Sequence, residues 1–243
     1  MVPSSDPSRS SVAAPGEPIR RHRLATRAWH WLNAAAIFIL LGSGLGISNA
    51  HPRLYWGRYG ANFDRAWAEP PHFPAWLTIP ANYNLALSRR WHLLFALVLA
   101  FGLLAYMVAS LLNRHFARDL ALTRKDVSAA HLAEDVRDHL QFRFHDPDDP
   151  GRYNSLQKWS YLLVIFVALP AMIATGLALS PGMDAGWPWL LDLFGGRQSA
   201  RSVHFIAAML LAGFTVLHLV LVILAGAWNE VRSMLSGNWR VPQ

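Results

Sequence analysis

Four long apolar blocks constrain what this chain can fold into more than any other feature of its sequence. They cover residues 29–47, 91–112, 159–179 and 203–225. Each is close to the roughly 20 residues that a helix rising 1.5 Å per residue needs to cross about 30 Å of hydrocarbon. No Asp, Glu or Lys interrupts them. The sequence therefore predicts an all-α, integral membrane bundle of four spanning helices.

The composition agrees with a membrane protein. Of the 243 residues 53% are hydrophobic and only 15% are charged, whereas about a quarter are charged in a typical soluble domain. The net charge of +7 comes from Lys and Arg beside the apolar blocks rather than in a separate basic domain. These residues therefore indicate membrane orientation and contact with anionic lipid, and we expect no nucleic-acid partner.

The connecting segments differ in their content of Lys and Arg. Fifteen of the 22 lie in the N-terminal arm, in segment 113–158 or after Ala225, so both termini are expected in the cytoplasm. The predicted organisation is a disordered arm over residues 1–22, a four-helix domain over 23–236 and a tail over 237–243. Ser and Pro over residues 1–18 indicate the disorder, and a short amphipathic helix is expected within 126–140.

The absence of cysteine limits the redox chemistry that the chain can support. It excludes iron–sulfur clusters, covalently attached haem and thiolate zinc sites. Four of the eleven histidines lie inside the apolar blocks, namely His30, His92, His204 and His218. An ionisable side chain in hydrocarbon is costly, so these four are the candidate functional residues.

Helical geometry sorts the four histidines into two pairs. Fourteen residues separate His204 from His218, an advance of about 21 Å and a rotation about 40° short of four turns, so both project from nearly one face. In the predicted topology His92 lies at the depth of His204, and His30 lies at the depth of His218. Two imidazoles from facing helices are what a six-coordinate b-type haem requires. We therefore expect two haem b groups, with these histidines as axial ligands of the iron.

Arginines precede three of these histidines by one helical turn. Arg27, Arg89 and Arg201 each lie three residues before a predicted ligand, and Arg90 follows Arg89. Haem propionates emerge at this distance from the iron and pair well with guanidinium groups, so all four arginines are predicted to bind them. For Arg27, an ordinary cytoplasmic flank explains the charge equally well. Glycines near these sites leave room for a flat macrocycle or for close helix packing: Gly42, Gly44, Gly46, Gly102, Gly176 and Gly213.

The sequence resembles the cytochrome b561-type, di-haem cytochrome b subunits that anchor nickel–iron hydrogenases, formate dehydrogenase and thiosulfate reductase in bacterial membranes. The resemblance covers roughly residues 24–235. Its motifs are Arg27-x-x-His30-Trp31-x-Asn33-Ala34, Arg90-Trp91-His92, Tyr153-Asn154-x-x-Gln157-Lys158, Thr175-Gly176, and Ala200-Arg201-x-x-His204 with His218.

The resemblance implies the same two haems, the same four ligands and a place in the bacterial inner membrane. It also implies a quinone site beside the haem of His30 and His218, formed by Asn154 with Gln157 and Lys158. A helix cap with solvated polar residues is the alternative explanation for these three residues.

The expected function is electron relay between a membrane quinone pool and a periplasmic redox enzyme. Residues 55–58 and 195–201 resemble a subgroup that accompanies exported molybdenum oxidoreductases, which predicts a partner of that class. No catalytic residue is predicted, because substrate chemistry would belong to the partner. The alternatives are a stand-alone superoxide:quinone oxidoreductase of the same fold, the cytochrome b subunit of a hydrogenase, and a histidine-based ion transporter. The transporter is disfavoured because the apolar blocks lack carboxylates.

Overall fold

A computed structural model describes residues 16–20, 22–61, 63–114, 116, 120–141 and 154–240. Its elements in chain order are β1 (Pro18–Arg20), α1 (Leu24–Ala50), α2 (Leu85–Leu112), α3 (Ala129–Leu140), α4 (Ser155–Leu179), α5 (Pro181–Gly186), α6 (Trp189–Leu193), α7 (Arg197–Leu224), α8 (Ala227–Ser236) and β2 (Asn238–Arg240). A 3-10 turn (Ala75–Leu77) lies in the loop between α1 and α2. Most of the segment predicted to be disordered, and the motif residue Tyr153, lie outside the described residues.

Four helices in the described ranges are long and apolar enough to cross a membrane, namely α1, α2, α4 and α7. This confirms the predicted architecture of four spans. Each helix begins four to six residues before its apolar block. The apolar pattern marks only the length of helix in hydrocarbon, whereas the helix continues into the interface, where water, caps or loops satisfy its first N–H groups.

The four spans pack as two helix pairs. α1 makes its most extensive contacts with α2, and the second half of α4 packs on α7. A buried apolar cluster from three of these helices lies in the interior: Leu99, Leu103, Leu169 and Leu211. Large apolar side chains such as Leu104 and Leu210 point outwards and are exposed. An apolar exterior around a small interior cluster is what lipid-facing helices require.

α4 has a capped start and an irregular middle. Asn154 precedes it, and Asn154 Oδ1 accepts a hydrogen bond from Gln157 N at 2.8 Å while Gln157 Oε1 accepts one from Asn154 N at 3.4 Å. This reciprocal capping box fixes where α4 begins. A π-helical turn (Val164–Ala168) follows and ends just before Pro170. Proline has no N–H to donate within a helix, which accounts for the change in hydrogen bonding there.

The loop between α1 and α2 holds the start of α7. Gly57 O accepts hydrogen bonds from the backbone nitrogens of Gln198 and Ser199, both at 3.1 Å, and Ser199 Oγ accepts one from Gly57 N at 2.7 Å. These contacts replace a side-chain N-cap, which α7 lacks. Gly196 has a φ of 114°, and a Cβ there would lie 2.7 Å from Arg58 Cα. The two stretches that carried the subgroup resemblance therefore form one structural unit.

The two ends of the described chain meet at one end of the bundle. β1 pairs with β2 in antiparallel fashion, with Ile19 opposite Trp239. The Trp239 side chain is completely buried, and its Nε1 donates to Glu230 Oε1 at 2.8 Å. Residues from the predicted arm and the predicted tail are thus joined on the same side of the four spans. We call this side the terminal end.

Candidate functional site

The structure brings the four span histidines together in two pairs. His30 of α1 faces His218 of α7, with 6.3 Å between ring centroids and 60° between ring planes. His92 of α2 faces His204 of α7, with corresponding values of 6.1 Å and 64°. The first pair lies towards the terminal end and the second towards the opposite end. These are the partners that helical spacing predicted.

The separation between the rings suits one metal ion held between two imidazoles. A metal–nitrogen bond of about 2.0–2.1 Å on each side, with about 1.1 Å from each nitrogen to its ring centre, gives about 6.3 Å between centroids. Among the residues that the structure describes, no group of three or more His, Cys, Asp or Glu could hold a metal ion. Two imidazoles at this separation suit the two protein ligands that a b-type haem iron would need.

Each histidine of the second pair is oriented by a buried hydroxyl group. His92 Nδ1 lies 3.1 Å from Ser43 Oγ, and His204 Nδ1 lies 2.8 Å from Thr175 Oγ1. Both hydroxyls already donate their hydrogen within their own helix, at 2.6 Å to the carbonyl oxygens of Ile39 and Ala171. Each can therefore only accept from its histidine, so the proton sits on Nδ1 and Nε2 keeps a free lone pair.

A glycine follows each of these hydroxyl residues and leaves the imidazole edge open. A Cβ at Gly44 would lie 3.4 Å from His92 Cε1, and a Cβ at Gly176 would lie 3.5 Å from His204 Cε1. Cε1 is the ring atom between the two nitrogens, and at Gly44 the next nearest atom is His92 Nδ1 at 3.7 Å. A larger residue at either position would extend over that edge. The arrangement fits a flat group seated against each ring.

The other predicted glycines have different surroundings. A Cβ would meet the Ile79 side chain at Gly42, Ser88 Oγ at Gly46 and the Trp29 ring at Gly102. These three glycines therefore permit close packing of neighbouring segments. Gly213 has no atom within 4 Å of where a Cβ would stand. Only Gly44 and Gly176 among the six predicted glycines face a histidine ring.

The His30–His218 pair has aromatic rather than hydroxyl neighbours. Phe214 stacks on His218 with 6.0 Å between centroids and 13° between planes, and Trp31 meets His30 edge to face at 5.3 Å. His30 Nδ1 and Asn33 Oδ1 are buried without a hydrogen-bond partner in the described structure. Buried polar atoms are normally satisfied, so these two atoms are consistent with a bound group at this end of the bundle.

The arginines predicted to bind propionates have varied surroundings. Arg27 donates to the carbonyl oxygens of Met234 and Leu235 at the end of α8, and Arg201 donates to the carbonyl oxygen of His51. Arg27 therefore ties the start of α1 to the C-terminal segment. Its role, and that of Arg201, in holding a propionate remains a prediction.

Arg89 and Arg90 lie in the first two turns of α2 and are exposed. Neither has a hydrogen bond or an ion pair with another residue in the described ranges. Both side chains are thus available to an anionic group near His92, and their propionate role also remains a prediction.

The three residues predicted to contact quinone lie together at the start of α4. Asn154 and Gln157 form the capping box described above, and Asn154 Nδ2 lies 3.5 Å from His139 Nε2 of α3. Lys158 is buried and forms an ion pair with Asp126, with 3.0 Å between Nζ and Oδ2. Their polar atoms are therefore largely engaged within the protein, and the quinone assignment remains a prediction.

Asp126 is the centre of this buried network. Its Oδ1 accepts from Ser155 Oγ at 2.7 Å, and its Oδ2 accepts from the backbone nitrogen and hydroxyl of Thr123 at 2.7 and 2.8 Å. Burial alone would raise the pKa of Asp126. The hydrogen bonds outweigh burial and hold this pKa well below its usual range, so the carboxylate stays ionised opposite Lys158. The predicted helix over 126–140 begins only at Ala129, after this anchor.

Sequence reasoning missed Ser43 and Asp126, and it placed Thr175 in a motif without assigning it the contact with His204. Ser43-Gly44 and Thr175-Gly176 share one pattern, a hydroxyl residue followed by glycine inside an apolar block. That repeated dipeptide is a signal that could have identified both hydroxyl groups. Nothing in the local sequence marks Asp126 as the partner of a lysine 32 residues away.

Comparison with known proteins agrees with this geometry. The family described as prokaryotic cytochrome b561 matches residues 21–237. The chain is 25% identical over 224 residues to the probable Ni/Fe-hydrogenase B-type cytochrome subunit of Cupriavidus necator. This alignment covers 87% of this chain and 82% of that protein. The chain is also 28% identical over 199 residues to the putative protein-methionine-sulfoxide reductase subunit of Azospira oryzae. That alignment covers 82% of this chain and 87% of the Azospira oryzae protein. No solved structure matches the chain significantly.

Proposed function

Because this chain belongs to the prokaryotic cytochrome b561 family, we propose that it is a di-haem cytochrome that relays electrons between a quinone pool and a periplasmic redox enzyme. Family membership implies b-type haem, and the four spans make the chain an integral membrane protein. The observation that carries the proposal is the presence of two facing histidine pairs near the two ends of α7. The predicted place in the bacterial inner membrane is consistent with the family match and with the four spans.

The chain supplies the ligands and a dry setting for both haems. His92 and His204 would hold one iron, and His30 and His218 would hold the other. Bound haem supplies reversible one-electron transfer between Fe(III) and Fe(II). The neutral imidazole is the form of histidine that binds a metal.

α7 connects the two sites. Its residues from His204 to His218 extend about 21 Å, most of the roughly 30 Å thickness of the hydrocarbon. Leu211, halfway between them, belongs to the buried apolar cluster that includes Leu103 and Leu169. The interior between the two sites is therefore apolar, and electrons would pass through it from the haem near one end of the bundle to the haem near the other.

We place the quinone site at the terminal end, near His30 and His218. Among the predicted contacts, Asn154 is the best suited, because its Nδ2 lies outside the capping box and beside His139 Nε2. Gln157 is held by the capping box and Lys158 by Asp126, so both would mainly position Asn154. The terminal end is assigned to the cytoplasm, as the distribution of Lys and Arg predicts.

The partner would dock at the end of the bundle near His92 and His204. The relatives' names refer to a hydrogenase and to a protein-methionine-sulfoxide reductase. We favour an exported reductase of the molybdenum type, because the loop around Gly57 and the start of α7, which carry the subgroup resemblance, form one unit at this end. A hydrogenase is the second candidate, which the Cupriavidus necator relative favours.

Haem counting tests the proposal directly. A pyridine haemochrome assay on the purified protein should give two haem b per chain, and a quinol should reduce both. His218→Ala and His204→Ala should each retain one haem, whereas His131→Ala, which changes a histidine in α3, should retain two. One haem or none in the unaltered protein would contradict the proposal. Rapid reduction of quinone by superoxide, in the absence of any partner protein, would favour the stand-alone oxidoreductase instead.

A further inference from the structure

We propose that Ser43 and Thr175 are positioning residues that orient the two ligands of one haem and lower its midpoint potential. This inference rests on the proposed function, because it assigns a role toward the haem that His92 and His204 would hold. Both hydroxyl residues are fully buried, and each contacts Nδ1 of one of these histidines. The effect is specific to this haem, because the described structure places no hydroxyl against His30 or His218.

The direction of each hydrogen bond follows from the helix geometry. Ser43 Oγ lies 2.6 Å from Ile39 O and 3.2 Å from Leu40 O, and Thr175 Oγ1 lies 2.6 Å from Ala171 O and 3.2 Å from Met172 O. A hydroxyl has one hydrogen, and the carbonyls of its own preceding turn take it. The oxygen lone pairs therefore face the histidines, and each histidine is the donor.

The same two-residue device serves both halves of the bundle. In the first helix pair, Ser43 and Gly44 of α1 face His92 of α2. In the second helix pair, Thr175 and Gly176 of α4 face His204 of α7. In each case the hydroxyl fixes the ring rotation and the glycine leaves its edge open. Two independent occurrences on different helices indicate a requirement of the ligand rather than a coincidence of packing.

The electronic consequence follows from ligand basicity. A metal-bound imidazole that donates its second N–H to an acceptor is a more basic ligand and is fixed in one tautomer. A more basic axial ligand stabilises Fe(III) relative to Fe(II), which lowers the midpoint potential. Because both ligands of this haem carry such a hydrogen bond, the two contributions act in the same direction.

The experiment compares substitutions that retain or remove the hydroxyl group. Thr175→Val keeps the shape of the side chain but removes the hydroxyl acceptor, which leaves only the backbone hydrogen bond between His204 and Met172, and Thr175→Ser retains the hydroxyl. Ser43→Ala tests the other ligand. Thr215→Val is the matched control, because Thr215 Oγ1 donates to Leu211 O at 2.8 Å in the same manner but is bonded to no histidine in the described structure.

Redox titration of the Soret and α bands, with electron paramagnetic resonance of the oxidised protein, gives the readout. In Thr175→Val and Ser43→Ala we expect a positive shift of one of the two midpoint potentials and a changed low-spin signal of that haem. Thr175→Ser and Thr215→Val should match the unaltered protein. The His204→Ala variant, which should retain only the other haem, identifies which potential is which.

Each outcome decides the inference. Loss of this haem in Thr175→Val but not in Thr175→Ser also supports a positioning role. Unchanged potentials and signals in both hydroxyl-free variants, a negative shift, or equal haem loss in Thr175→Val and Thr175→Ser would overturn it. If the unaltered protein binds fewer than two haems, the proposed function itself has failed. If it binds two and no variant differs, only this inference has failed.

Discussion

Lys158 Nζ lies 3.0 Å from Asp126 Oδ2, and both side chains are buried beside the first turn of α4. The ion pair joins the segment before α3 to a membrane-spanning helix. Trp159 strengthens the junction, since its Nε1 donates to the carbonyl oxygen of Asp126 at 2.8 Å. This network fixes the segment around Asp126 against the start of α4 at the terminal end.

Removal of the Asp126 charge should destabilise the protein strongly. Asp126→Asn leaves Lys158 buried without a counter-ion, and breaking a buried ion pair in this way costs about 3–5 kcal/mol. Thermal unfolding in detergent, followed by circular dichroism, measures the loss. Asp126→Leu combined with Lys158→Met should recover most of it, because no charge then remains buried. Glu134→Gln, at an exposed position of α3, should change little.

The stabilising effect of Asp126 should depend on pH in one direction. Because the pKa of Asp126 is lower in the folded protein, the ionised carboxylate stabilises the fold above the unfolded-state pKa of about 3.9. This stability is lost progressively as the pH falls from that value towards the folded-state pKa. The difference in stability between the unaltered protein and Asp126→Asn should be constant from about pH 8 to pH 5 and shrink below about pH 4. A difference that shrinks around neutral pH would contradict the low pKa.

Gly196→Ala should separate the α1–α2 loop from α7. Gly196 has a φ of 114°, and an added Cβ would lie 2.7 Å from Cα and 2.9 Å from N of Arg58. Alanine disfavours this φ, and the backbone of Arg58 cannot easily move away from the added Cβ. We therefore expect the free energy of unfolding to fall by about 1–3 kcal/mol. Faster proteolysis of the loop would accompany it. Gly182→Ala, with open space around its Cβ position, should behave like the unaltered protein.

Arg27→Gln should loosen the C-terminal segment. Arg27 bonds the last carbonyls of α8, where a positive charge also interacts well with the helix dipole. Trypsin should therefore cleave after Arg232 several-fold faster, with haem content unchanged. Arg89→Gln is the matched control, since Arg89 has no described partner. Unchanged proteolysis together with a lower potential of the haem at His30 and His218 would instead support a propionate contact.

Two substitutions at Asn154 separate helix capping from quinone binding. Asn154→Ala should cost about 0.5–2 kcal/mol of stability, because the N-cap acceptor is lost. Asn154→Ser keeps an acceptor and should retain most of the stability. Both lack Nδ2, so both should raise the KM for quinol oxidation. A KM that is unchanged in both variants would contradict the quinone contact and leave the capping role intact.

The sequence predicted the parts of the site that depend on periodicity. Four apolar blocks determine four spans, and the spacing of His204 and His218 on one helix determines which partners they can reach on α1 and α2. The partner of Arg27 could not be found in this way. Its hydrogen bonds reach residues more than 200 positions away, and this contact depends on how the chain ends return to each other.

The hydroxyl partners were missed for a different physical reason. A serine or threonine inside a spanning helix normally satisfies itself on its own preceding turn, as Thr215 does. Ser43 and Thr175 do the same, so their sequence environment looks ordinary. Their second contact, with a histidine on a neighbouring helix, depends on the rotation of that helix.

The pairing of β1 with β2 has a consequence for biosynthesis. Pro18–Arg20 precedes the four spans along the chain, and Asn238–Arg240 follows them, so β1 is synthesised before the first span and β2 after the last. β1 therefore cannot pair before β2 has been made. The two strands can meet only if the chain has crossed the bilayer an even number of times. Pairing of β1 with β2 thus requires that all four spans have been made and that both strands lie on the same side of the membrane.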